Sequence, residues 1–202
     1  MGYTGAASIP YRIIEQEQPT TNLAIVLPGA GYTTQAPLLY YTTGLLYGKG
    51  FDVLHINYKY NSQELSALKK EDFANDVLAV IEKVLKNKEY KNFYFAAKSI
   101  GTIALSYLLE NPKFYDAKAV WLTPLLQRDD VFNAMKNTNN KGLCIIGDQD
   151  SCCITDRFEA LKKHSNLTLR LIEGGDHGLE LSNQPVESIN ILKEVIADIN
   201  EF

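Results

Sequence analysis

Three kinds of side chain stand where they can do chemistry, each just after an apolar run. Phe93-Tyr94-Phe95-Ala96-Ala97 leads into Lys98-Ser99-Ile100-Gly101 and then into a segment of helical character. Small-x-Ser-x-Gly between a strand and a helix is the pattern of a nucleophile elbow. The turn is tight enough that the residues two before and two after the serine must be small, and the helix that follows aims its N–H groups and positive end at the hydroxyl. The simpler reading is that Ser99 only caps that helix, since serine is a favoured cap. Two more runs end alike. Cys144-Ile145-Ile146 gives way to Gly147-Asp148-Gln149-Asp150, and Leu169-Arg170-Leu171-Ile172 to Glu173-Gly174-Gly175-Asp176-His177-Gly178. Serine, carboxylate and histidine in this chain order are the parts of acyl transfer. The imidazole removes the hydroxyl proton near its ordinary pKa of about 6.5, and the carboxylate orients the imidazole. Asp148, Asp150 and Asp176 compete for the carboxylate role. Asp148 follows its glycine directly, as a turn-shaping residue does, and Asp176 adjoins His177, where sequence neighbours rarely face each other.

The elements that must position these groups alternate. Short β-rich runs fall at Leu23–Leu27, Phe51–Tyr58, Asn92–Ala97, Ala117–Leu122, Gly142–Ile146 and Leu167–Ile172, with an edge strand at Tyr11–Glu15. Helical spacing falls at Pro37–Lys49, at Phe73 to Leu85, and at Gly101–Glu110, Thr155–His164 and Pro185–Ile199. Strands alternating with helices predict a mostly parallel sheet of about six to seven strands with helices on both faces. The continuous apolar runs fit strands buried on both sides. All three chemical segments would then open at the carboxyl edge, where such sheets bind ligands. Arg128–Lys141, with its Asn137-Thr138-Asn139-Asn140 run, reads as a surface loop, so residues 1–202 are expected to form one domain.

Composition narrows the classes. The chain has 202 residues, 46 % hydrophobic and 22 % charged, with a net charge of −4. It lacks the clustered cations that nucleic acid demands and any run near the ~20 apolar residues of a membrane span. Met1-Gly2-Tyr3-Thr4-Gly5 has no basic region before an apolar one, and Ala6 stands where a myristoylation signal needs Ser or Thr, so a cytoplasmic protein is expected. Three cysteines and three histidines without a C-x-x-C pair predict neither a disulfide framework nor a structural metal. Cys144 reads as core, while Cys152 and Cys153 are oxidation-sensitive if exposed. His55, in an apolar strand, and His164, at a helix end, read as structural. Gly29-x-Gly31 after a strand is a poor dinucleotide signature, because Thr34 stands at the third glycine and the next strand ends in Asn57.

From Leu23 to the last helix the chain resembles the α/β-hydrolase superfamily, in particular small lidless esterases and dienelactone-hydrolase-like proteins. The resemblance rests on the Ser99 elbow, with Ala97 in the usual first-glycine place, and on the carboxylate and His177. It rests also on Leu27-Pro28-Gly29-Ala30-Gly31-Tyr32, similar to the family's loop after its third strand but with Pro28 for the usual histidine. It implies an α/β-hydrolase fold and an acyl-enzyme on Ser99 with His177 as base. The acid is then Asp150, because the family places it three residues after a strand-ending glycine, here Gly147. The N–H groups of Ala30 and Ile100 would face the oxyanion, with Gly31 as the alternative donor. Gly31, Tyr32 and Lys98 are candidate substrate contacts, and Tyr58 and Tyr60 follow a strand toward the same edge. Lys98 either leans into the site, favouring an anionic substrate, or is a solvated lysine at the rim. The short Thr123–Lys141 segment leaves no room for a lid, so small acyl substrates are expected. Esters, thioesters and amides all suit these residues, and no cofactor or metal is called for. The alternative is a binding protein on an inactive hydrolase scaffold, motivated by Pro28 and Ala97.

Overall fold

The computed structural model describes residues 9–60, 63–64 and 67–202; the amino-terminal residues read for targeting signals lie outside this range. In chain order the elements are β1 (Tyr11–Ile14), β2 (Asn22–Leu27), α1 (Pro37–Gly48), β3 (Asp52–Ile56), α2 (Lys70–Leu85), β4 (Asn92–Lys98) and α3 (Gly101–Leu108). A short 3-10 turn (Pro112–Phe114), β5 (Lys118–Leu122), α4 (Asp129–Asn137), β6 (Gly142–Gly147), α5 (Thr155–Leu161), β7 (Leu167–Ile172) and α6 (Pro185–Glu201) complete them. The seven strands form one sheet in the order β1-β3-β2-β4-β5-β6-β7. β1 pairs antiparallel with β3, and every other neighbouring pair is parallel.

The sheet is covered on both faces, which is why its central strands read as unbroken apolar runs. On one side Phe73, Val77 and Ile81 of α2, Ile103 and Leu105 of α3, and Phe158 and Leu161 of α5 pack on Ile25, Phe95 and Trp121. On the other, Leu38, Leu39 and Leu46 of α1 and Val195 and Ile199 of α6 pack on Val26, Tyr94 and Val120. β2 sits between β3 and β4, so the chain leaves it in one direction and returns on its other side. That reversal opens a crevice at the carboxyl ends of β2 and β4, where Leu27 pairs with Ala97. This is the α/β-hydrolase fold, and no lid is inserted among the described residues.

Two expectations are corrected. Arg128–Lys141 is not a surface loop, since it contains α4. Val131 and Met135 are one helical turn apart and fully buried, and Asp129 and Asp130 suit the helix's positive end. Two apolar anchors in a polar stretch are a faint periodic signal. The following Asn140 is also buried, because its side-chain amide donates to the carbonyls of Phe114, Tyr115 and Ala117 at 2.7, 2.9 and 2.9 Å. The strand expected at Phe51–Tyr58 is confined to Asp52–Ile56, because the N–H of Phe51 closes α1 on Leu46.

Candidate active site

β4 ends at Lys98, and Ser99 follows with φ of 53°, a left-handed conformation that costs a non-glycine residue energy. Its surroundings enforce the turn. The Ser99 N–H donates to Leu122 at the end of β5, and Thr102 donates through both N–H and Oγ1 to the Ser99 carbonyl. Gly101 has no room for a side chain, since a Cβ there would lie 2.4 Å from the Leu27 carbonyl oxygen. Ala97 is fully buried and its methyl is accommodated beside β2. The capping alternative fails, because Ile100 occupies the cap position of α3 and no side chain caps the helix.

Ser99 Oγ lies 2.8 Å from His177 Nε2, and His177 Nδ1 lies 2.8 Å from Asp150 Oδ2. The second Asp150 oxygen accepts the Cys152 N–H at 2.8 Å. Burial alone would raise the Asp150 carboxyl, but the bonds from His177 and Cys152 outweigh it and hold the group below the ordinary carboxylate range. The imidazole is pushed up to about 9, chiefly by its bond to Asp150 and then by the Cys152 side chain, against burial and the charge of Lys98. The other candidate acids are turn-formers. Asp148 accepts the Gly174 N–H, and Asp176 accepts those of Gly178 and Glu180.

Two glycines bring the carboxylate and imidazole loops together. A Cβ on Gly147 would lie 1.9 Å from the carbonyl oxygen of Gly175, so these backbones touch with nothing between them. Gln149 N–H donates to the same oxygen at 3.0 Å. The sequence motif marks Gly147 only as a strand end; its partner lies across the chain.

The loop after β2 arches over the serine. Gly29 donates to Tyr32, and a Cβ on Gly29 would sit 3.5 Å from that of Ser99. Pro28, at the place of the family's histidine, has its carbonyl held by the Tyr58 hydroxyl. Tyr58 is buried and braces this loop, whereas Tyr60 packs against Tyr58 and Phe73. Among the described residues the N–H groups of Ala30, Gly31 and Ile100 have no backbone partner. Tyr32 turns its ring to Lys98 and its hydroxyl accepts the Leu38 N–H. Lys98 is not at the rim: it is 1 % exposed. Beside the site, Tyr32, Leu38, Leu179, Leu181, Ile189 and Leu192 line an open, mainly apolar hollow of about 420 Å³ that reaches Gly178, next to the imidazole.

Asp150, Cys152 and His177 bring one ligand atom each within 4.8 Å of the others, a donor set of the kind soft divalent metals accept. The carboxylate and imidazole are bonded to each other, so a metal would have to part them. Of the other histidines, His55 is buried with its ring on Thr43 and His164 accepts the Asn166 N–H. Cys144 is buried in the core, Cys152 is buried, and Cys153 is half-buried. No helix among the described residues is long and apolar enough to cross a membrane.

A serine on a strand-to-helix elbow, joined through an imidazole to a buried carboxylate at the carboxyl edge of a parallel sheet, is the arrangement of the α/β hydrolases. The profile of the alpha/beta hydrolase domain matches residues 21–202, and the chain belongs to that family. No curated relative matches the sequence. Solved structures similar to it include Est1E from Butyrivibrio proteoclasticus, with a TM-score of 0.69 and 15 % identity over 95 % of this chain and 90 % of that one. A serine hydrolase without a lid from Xanthomonas campestris reaches 0.66 and 15 % identity over 95 % and 88 %. A serine hydrolase homologue from Coxiella burnetii reaches 0.67 and 14 % identity over 93 % and 90 %. At such identities the likeness is one of fold.

Proposed function

We propose that the protein is a serine hydrolase that cleaves small carboxylic esters or thioesters through an acyl-enzyme on Ser99. The observation that carries this reading is the continuous chain of 2.8 Å contacts from Ser99 Oγ through His177 to a buried Asp150. As Ser99 Oγ bonds to the substrate carbonyl carbon, its proton passes to His177 Nε2. The carbonyl oxygen becomes an oxyanion facing the N–H groups of Ala30 and Ile100, an interaction typically worth ~3–4 kcal/mol per donor. When the carbonyl re-forms, the bond to the alcohol or thiol breaks, and His177 gives that leaving group the proton. Water then attacks the acyl-enzyme with His177 as base, releasing the acid and restoring Ser99.

The apolar hollow beside Gly178 takes the apolar part of such a substrate. Est1E, of similar fold, has been seen with ferulic acid bound, an aromatic acid, in keeping with an aryl or acyl group here. The chain works as one domain on a small-molecule substrate, and three unpaired cysteines fit a reducing, cytoplasmic setting.

A fluorophosphonate probe tests the reading without a guess at the substrate. Mass spectrometry should find one adduct, on Ser99 of the native chain and absent from Ser99→Ala, and hydrolysis of short-chain aryl esters should vanish in the same variant. A folded native chain that takes no label would overturn the proposal and favour a binding protein on this scaffold.

A further inference from the structure

Lys98 is among the largest fully buried side chains of the protein, yet it carries a charge. A buried ammonium persists where its donors are taken up, and here they are taken up by the site. Nζ donates to the carbonyl of His177 at 2.7 Å and to Thr123 Oγ1 at 2.8 Å, and lies 4.8 Å from the centroid of the Tyr32 ring. Among the described residues it makes no ion pair within 4 Å. The three partners come from the loops after β7, β5 and β2. Thr123 is itself in a left-handed conformation, with φ of 43°. One side chain, next in sequence to the serine, thus ties together the loop of the imidazole, the end of the neighbouring strand and the loop over the oxyanion position.

We propose that Lys98 is a positioning residue, fastening the loop that carries His177 to the strand that carries Ser99; this rests on the acyl-enzyme reading above. Its donors point into the protein, so it does this in place of binding an anionic substrate. Its charge has a second effect, because a cation beside the imidazole opposes protonation of His177. Burial draws the amine down to about 8, while Asp150, Asp176, Cys152 and Glu180 around it favour the charged form, so it remains an ammonium at neutral pH. The groups facing it are therefore acids from the loops after β6 and β7, the imidazole and the Tyr32 ring.

The test compares the native chain with Lys98→Met on an aryl ester, reading kcat against KM. Lys98→Met should lose between ~10- and ~100-fold in kcat through misalignment and keep its KM. A folded Lys98→Met with native kcat would overturn the proposal, as would a change in KM alone, which would make Lys98 a substrate contact. Should Lys98→Met not fold, Thr123→Val and Thr123→Ser decide. The valine variant should lower kcat, and the serine variant, which keeps the hydroxyl, should restore it; equal and native kcat in both would overturn the proposal. If the native chain neither takes the probe nor turns over esters, the acyl-enzyme reading itself fails and the role assigned to Lys98 falls with it. Failure of the lysine role alone leaves the native chain active.

Discussion

Replacing Gly147 by alanine should separate the carboxylate from the imidazole without touching either. The added Cβ would lie 1.9 Å from the Gly175 oxygen and 2.4 Å from its carbon. An ordinary carbon–oxygen contact is about 3.3 Å, so the two backbones must part by about 1.4 Å. Passed along the loops, that movement stretches the Asp150–His177 contact from 2.8 Å to about 4 Å, beyond hydrogen-bonding range. The Gln149 N–H bond to the same oxygen goes with it. Displacements of this size cost about a hundredfold in rate, and overpacking costs about 1–3 kcal/mol of stability, or roughly 2–12 °C in Tm. The assay is kcat/KM on an aryl ester beside thermal unfolding of the same preparation. Gly44→Ala is the control. A Cβ at this exposed helical position meets nothing within 4 Å, so Tm should rise for about 0.5–1 kcal/mol with activity unchanged. A folded Gly147→Ala with native kcat/KM would refute the idea that this glycine contact sets the geometry.

Asp150→Asn should cost about 10⁴-fold in kcat, because an asparagine amide favours the tautomer whose Nε2 already carries a proton; stopped-flow or discontinuous ester assays read this directly. In the native protein kcat/KM should rise with pH as His177 loses its proton, with a midpoint above 6.5, toward about 9. Asp150→Asn should move that midpoint down, and histidine NMR titration measures both. Because folding raises this pKa, the Asp150–His177 bond supports stability fully below pH 6.5 and loses that support as pH rises through about 9. Asn140→Ala strips the amide from three backbone carbonyls and should cost about 3 kcal/mol, seen as a lower urea midpoint with kcat per folded molecule retained.

The residues proposed for chemistry were legible because each obeys a local rule. Ser99 lies between a strand and a helix with small residues two places to either side, and Asp150 and His177 each follow a strand closely enough to stand at its carboxyl edge. The strands of a doubly covered sheet are also easy to read, since burial on both faces removes every polar residue from Leu23–Leu27. What stayed hidden is long-range. Nothing near Gly147 in sequence announces that Gly175 will lie against it, and nothing near Tyr58 says that its hydroxyl will hold Pro28. The helix at Asp129–Asn137 was obscured because Val131 and Met135 are its only buried residues, and the polar run after it contains an asparagine whose work is to satisfy carbonyls inside the fold. Lys98 was hidden for the same reason. A lysine before a turn reads either as leaning into the site or as solvated at its rim, and only the packed structure shows that its donors end on Thr123 and on the backbone of His177.

The bond that orients His177 also raises its basicity, and the two effects pull in opposite directions. An imidazole held strongly by Asp150 presents the correct nitrogen to Ser99, but it also tends to keep the proton that blocks that nitrogen. A buried cation near the imidazole opposes the second effect without loosening the first, provided it does not itself pair with Asp150. Lys98 meets that condition: it bonds the His177 backbone rather than the Asp150 carboxylate, and its position just before Ser99 ties its placement to that of the hydroxyl. Alignment then comes from Asp150 through the ring and from Lys98 through the main chain, while their charges act on the imidazole with opposite sign.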